Sequence, residues 1–186
     1  MAAKNKVITL DTLLGAATLT KSSKETTEAY LGRVTHLHLQ GKKIDKIEGL
    51  ELCTNLKVLY LYDNQIESIT GLENQPILYY VYLQNNKIKD IPKLQMPALR
   101  KLYLDDNHIS VVSGLSLCCI LEELHIARQR LPTFTSLKFD PETLQSITSL
   151  QVLEISNCGI SQLNPFTVLR NLRKIFARDN QVGTKI

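Results

Sequence analysis

A frame of apolar residues recurs along this chain at a nearly constant interval. Residues 56–66, LKVLYLYDNQI, read Leu, two variable positions, Leu, one variable, Leu, two variable, Asn, one variable, Ile. The frame returns at Leu78, Val81, Leu83, Asn86 and Ile88, and again at Leu99, Leu102, Leu104, Asn107 and Ile109. A fixed short period constrains the fold strongly, because each unit presents the same apolar edge and only stacked neighbours can bury it. Within a unit, Leu59 and Leu61 alternate with Tyr60 and Tyr62, which is the period of a short strand with one face inward. The Asn closes the strand, where its amide can bond the turning backbone of its own and the next unit.

This is the leucine-rich-repeat signature. It predicts an α/β solenoid, a right-handed leucine-rich-repeat horseshoe with short parallel strands on the concave face. Repeats start at residues 34, 56, 78, 99, 121, 150 and 172 and continue through residue 186. In the first, Lys42 replaces the Asn; in the fifth and sixth, Gln129 and Cys158 do. A step of about 22 residues leaves room for only a short or 3₁₀-like return, with Ile66, Ile69 and Leu72 turned inward. Residues 1–33 lack the frame and are expected to form a helical N-terminal cap. One helix is expected around Asp11, Thr12, Leu13, Leu14 and Leu19, and another over residues 24–31.

The step from 121 to 150 is longer than the rest. Asp140 is a natural N-cap, Pro141 suits the first helical position, and Leu144 with Ile147 form an inward stripe. A convex helix is expected there, preceded by a loop carrying Phe134, Leu137 and Phe139, which either tuck under the loop or form a docking knob. The last repeat matches at Leu172, Ile175, Ala177, Asn180 and Val182, with no C-terminal cap expected after it; a partner could cover that end.

The outward strand positions fall into columns on the concave face. The central one runs His38, Tyr60, Tyr82, Tyr103, His125, Glu154, Phe176; beside it stand His36, Val58, Tyr80, Lys101, Glu123, Val152 and Lys174. Tyr62 and Tyr79 lie in flanking columns, so of the seven tyrosines only Tyr30 falls elsewhere. Strand propensity alone would scatter tyrosines over all the repeats, yet they crowd the second to fourth. A protein-binding surface at His38, Val58, Tyr60, Tyr62, Tyr80, Tyr82, Lys101, Tyr103, Glu123, His125, Glu154 and Phe176 is therefore expected.

Little else in the sequence carries chemistry. His36 and His38 could share a side but lack a third ligand, the four cysteines fit no zinc spacing, and there is no nucleophile or phosphate-loop motif. No catalytic residue, metal or cofactor is expected. Charge is uneven: residues 1–46 and 169–186 each carry +4, and the middle carries −4. Aromatics beside basic residues can bind single-stranded nucleic acid, but Asp63, Asp105, Asp106, Glu122 and Glu123 would repel phosphate, so no nucleic-acid partner is expected. No run of 18 apolar residues occurs, so no membrane partner is expected, and the N-terminus is a poor secretory signal. Cysteine usage without Cys-rich end caps fits a reducing compartment.

Laid out in register, NLKVLYLYDNQI (55–66), YLQNNKI (82–88), LRKLYLDDNHI (99–109) and ELHIARQRLPTFTSLKFDPETLQSI (123–147) resemble the leucine-rich-repeat regulatory subunits of protein phosphatase 1. The irregular repeat with QRLP and FDP is the most specific part. The resemblance implies a non-enzymatic binder of the cytoplasm and cytoskeleton, at centrosomes, cilia or flagella. Its implied partners are the protein phosphatase 1 catalytic subunit or tubulin and axonemal proteins. The family continues past this C-terminus with further repeat and a cap, and no phosphatase-docking peptide of the basic-Val-x-Phe kind is present here.

Overall fold

The computed structural model describes residues 6–183. In chain order its helices are α1 (Leu10–Ala16), α2 (Thr27–Gly32) and α3 (Pro141–Ser146). Its strands are β1 (His36–His38), β2 (Val58–Tyr60), β3 (Tyr80–Tyr82), β4 (Lys101–Tyr103), β5 (Val111–Val112), β6 (Glu123–His125), β7 (Lys138–Phe139), β8 (Val152–Glu154) and β9 (Lys174–Phe176). Seven of these form one parallel sheet in the order β1-β2-β3-β4-β6-β8-β9, while β5 and β7 pair separately. Each strand of the seven-stranded sheet has only three residues, yet the register is unambiguous. The middle residues Leu37, Leu59, Val81, Leu102, Leu124, Leu153 and Ile175 face one another, and a one-residue slip would turn them all outward.

The core is a continuous column of aliphatic layers. Leu59, Leu61 and Ile66 of one repeat, and their equivalents Val81, Leu83 and Ile88 of the next, are fully buried. Each such side chain contributes about 1.5–3 kcal/mol. The Asn positions close each turn, but they reach back rather than forward. Asn64 donates to Leu61 O in its own repeat and to Leu39 O in the preceding one, while its Oδ1 accepts from Lys42 and Ile44 N–H. Asn86, Asn107 and Asn180 repeat the pattern. Bonds to the next repeat were the sequence expectation; the parallel stagger places the preceding turn within reach instead. Gln129 manages the same contacts with its longer arm, and Cys158 offers a thiol to Ile126 O at 3.2 Å.

The return segments are mostly irregular turns rather than 3₁₀ helix, with one 3₁₀ segment at Asn164–Val168. Gly71 shows why a turn must be small there: at φ +93° its missing Cβ would lie 1.7 Å from Ile47 O of the preceding repeat. The long repeat does carry the expected helix, α3, with Asp140 accepting from Thr143 N–H at 2.9 Å. The cap forms as two short helices whose N-caps are Thr9 and Thr26, so Asp11 sits inside the first turn of α1. Leu19 lies outside α1 and is exposed, whereas Leu13, Ala16, Tyr30 and Leu31 bury against the first repeat. Tyr30 is anchored there by its hydroxyl, which donates to Leu19 O at 2.7 Å. At the other end, β9 is exposed throughout, with Ile175 37% and Val182 48% accessible.

Candidate functional site

The concave surface is set by register. Because every strand pairs in parallel with residue i opposite its equivalent one repeat on, the central column stands in line across the sheet. Strand spacing of about 4.8 Å is close to the thickness at which flat rings pile face to face. His38, Tyr60, Tyr82, Tyr103 and His125 do this. Successive ring centroids are 4.5, 4.8, 4.7 and 4.3 Å apart, with interplanar angles of 14–24°. The ladder turns ring edges and phenol tips outward and hides most of each ring face. All five residues are half-buried.

The adjacent column supplies charge. Glu123 accepts from Lys101 Nζ at 2.9 Å and from the Tyr103 hydroxyl at 2.9 Å, and Nε2 of His125 lies 3.9 Å away. Desolvation works to raise the Glu123 carboxyl, but the bonds from Lys101 and Tyr103 prevail and hold it below its ordinary value. Burial first, and then the bond to Glu123, push the Tyr103 phenol upward, so it stays a neutral donor. Lys101 also lies 5.5 Å from the Tyr80 ring centroid, within cation–π range.

The remaining expected site residues divide. Tyr62, Tyr80, Glu154 and Phe176 are on the strand face and accessible. Val58 is not: it is 5% exposed, a short side chain standing between the taller His36 and Tyr80 on either side, so it floors the surface rather than contacting a partner. In the loop, Leu137 is buried and Phe139 packs edge-on against Phe166 at 4.9 Å, so neither forms a knob; only Phe134 projects fully into solvent.

Of the third column, two residues beyond the central one (Gln40, Tyr62, Gln84, Asp105, Ala127, Ser156, Arg178), the sequence reading took only Tyr62 as a site residue. Counting on by two from each central residue would have found the rest. The Oε1 atoms of Gln40 and Gln84 have no hydrogen-bond partner among the described residues. Asp105 is 7% exposed; burial raises its carboxyl, partly offset by the Ala127 N–H that donates to Oδ1 at 2.8 Å. The acids set against phosphate are largely neutralised from the neighbouring repeat. Arg100 pairs with Glu122, Lys101 with Glu123, and Arg128 with Asp106.

His36 is held by Thr35 Oγ1 at Nδ1, and His38 is in the ladder. Among the described residues no group of three His, Cys, Asp or Glu side chains is placed to hold a metal. Burial pushes the thiols of Cys53 and Cys118 up to about 11 and about 12, the opposite of an activated nucleophile. No described helix is long and apolar enough to cross a membrane.

The family Leucine Rich repeats (2 copies) matches residues 33–74 and 80–116, and the family Leucine Rich Repeat matches 149–170. Cilia- and flagella-associated protein 410 of Mus musculus is 34% identical over 95 residues, covering 49% of this chain; the chain spans only 36% of that protein. Among solved structures, an internalin (inlF) from Listeria monocytogenes superposes with a TM-score of 0.63 at 28% identity, over 86% of this chain and 52% of that one. The internalin C2 from the same organism gives 0.62 at 25% identity, over 95% and 85%. Repeat frame, in-register parallel sheet, Asn-closed turns and these matches agree: the chain belongs to the leucine-rich-repeat proteins.

Proposed function

We propose that this protein is a non-enzymatic scaffold whose concave face grips a protein partner through the ring ladder. The observation that carries the reading is the ladder itself: four stacked contacts place three phenol tips and two imidazoles in one accessible row. Stacking fixes the rotamers before binding, so little side-chain entropy is lost on contact, and Tyr is a frequent anchor at protein interfaces. The finer version names the partner as the catalytic subunit of protein phosphatase 1, and it rests on the sequence resemblance. Substituting Tyr60, Tyr82 and Tyr103 together by Ala should abolish co-purification of that subunit while leaving the far-ultraviolet spectrum folded. Undiminished co-purification would end the phosphatase version.

A second reading is favoured by the partial similarity to a cilia- and flagella-associated protein. In it the chain is a structural component of the axoneme or a microtubule array, located in cilium, flagellum or centrosome, and its basic terminal segments face the acidic lattice. Co-sedimentation with microtubules should then fall steeply between low salt and about 0.15 M, where the screening length is about 8 Å. Sedimentation indifferent to salt would remove that reading.

A further inference from the structure

The aromatic column is interrupted once. After His125 the next in-register residue is Glu154, and after it comes Phe176, which is exposed. At strand spacing, His125 and Phe176 stand about 9–10 Å apart across the sheet. One more planar group would fit between them at the ladder's own spacing. A depression of about 500 Å³ opens at this gap, lined by Asp105, His125, Glu154 and Phe176 and also by Arg128 and Arg178.

The electrostatics of the gap select the sign of that group. Asp105 is more than nine-tenths buried and uses only Oδ1, toward Ala127 N–H; Oδ2 has no hydrogen-bond partner among the described residues. Glu154 likewise uses only Oε1, toward Ser156 N–H. Arg128 is already engaged by Asp106 through Nε at 3.0 Å and a terminal nitrogen at 2.8 Å. Arg178 and Asp179 add one charge of each sign to the lining, so the acids Asp105, Glu154 and Asp179 outnumber the arginines. Two acids, each with one carboxylate oxygen unused, thus line a hollow together with an imidazole, a phenyl ring and the two arginines. A planar cation satisfies both demands, since it stacks on aromatic faces and donates in a fork to carboxylate.

We propose that this gap is a subsite for an arginine side chain of the protein partner, its guanidinium seated between His125 and Phe176 over the Glu154 and Asp105 carboxylates. The subsite rests on the reading of the concave face as a protein-binding surface and gives that surface a chemical preference. Arginine is favoured over lysine because a compact ammonium cannot stack between two rings.

The test is a titration of the isotopically labelled chain, followed by amide NMR shifts, with three probes: N-acetyl-arginine amide, N-acetyl-lysine amide and the neutral isostere N-acetyl-citrulline amide. Saturable shifts centred on His125, Glu154 and Phe176 are expected with the arginine probe, weaker ones with lysine and none with citrulline. Glu154→Gln and Asp105→Asn should each weaken the arginine response about tenfold, the scale of one lost charge-assisted bond. Both amides keep an acceptor for the backbone N–H now bonded to the carboxylate, so folding is retained. Equal responses to citrulline, shifts scattered over exposed acids, an unchanged Glu154→Gln titration, or no saturable shift would each overturn the subsite. Glu48→Gln should leave the titration intact, because Glu48 lies outside both the ring ladder and the lining of the gap. A failed titration with the tyrosine effect on partner capture preserved would therefore reject the subsite alone, and the reverse pattern would reject the ladder as the grip.

Discussion

At the scale of single residues, the Asn positions carry an uneven share of the fold. Asn107 is fully buried and satisfies Leu83 O, Leu104 O and Ile88 N–H at once. Asn107→Ala strands three backbone groups away from water and should cost about 3 kcal/mol, read as a shift in the denaturation midpoint. Cys158 makes only weak thiol contacts at the equivalent site, so Cys158→Ala should cost nearer about 1 kcal/mol. Gly71→Ala tests the opposite hazard. A Cβ there meets Ile47 O and a left-handed φ together, and a loss of at least about 2 kcal/mol is expected from strain alone. The Asn positions and Cys158 were legible in the sequence, because a three-residue strand leaves the closing residue in a fixed place, whereas the close approach at Gly71 was not. What could not be read was how tall its neighbours stand. Val58 occupies an outward strand position by count, yet His36 and Tyr80 overtop it. Leu137 and Phe139 were apolar residues with two outcomes open, and for Phe139 the choice was made by Phe166, a residue more than twenty positions later.

At the scale of elements, adjacent strands exchange charge across one repeat, and this gives a pH dependence with a definite sign. Lys101 and Tyr103 on β4 hold Glu123 of β6 below the ordinary carboxylate value of 4.5, although its desolvation works the other way. A carboxyl lowered in the folded state stabilises the fold above its unfolded value and loses that contribution as pH falls through the folded one. Glu123→Gln should therefore melt below the parent at neutral pH, and the gap should close below about pH 4. Asp105 behaves oppositely. Its raised carboxyl favours the fold at low pH, and the contribution is lost as pH rises through the folded value, so Asp105→Asn should gain relative stability toward neutrality. The convex helix offers a separate check. Asp140 caps α3 through Thr143 N–H, and Asp140→Ala should cost about 1 kcal/mol. That helix was readable from its Asp-Pro start. The ring ladder was readable only as a column, since face-to-face stacking follows from strand spacing that no single repeat encodes.

At the scale of the whole molecule, a solenoid's stability is a sum over layers and their contacts, so well-buried and exposed layers need not open together. The inward residue of β4, Leu102, is 1% exposed, while its equivalent in β9, Ile175, is 37% exposed. The same residue class in the same register therefore buries very different areas, and its removal should register accordingly. Leu102→Ala leaves a cavity enclosed by layers on both sides and should cost about 3–4 kcal/mol, whereas Ile175→Ala should cost less than about 1.5 kcal/mol. Hydrogen exchange on the native chain gives the corresponding map. Amides bonded between β3 and β4, such as Leu83 N–H to Tyr103 O, should be protected to near the global unfolding free energy. The Ile155 N–H bonded to Phe176 O should exchange through a local opening of β9, faster and with little sensitivity to Leu102→Ala. Uniform protection from β1 to β9 would mean that the layers unfold as one block, and would contradict the additive picture. A partner seated across the His125–Phe176 gap would raise the protection of β9 selectively, because it bridges the layers on either side of Glu154. The exchange experiment with and without the partner thus joins the stability of the array to the surface it presents.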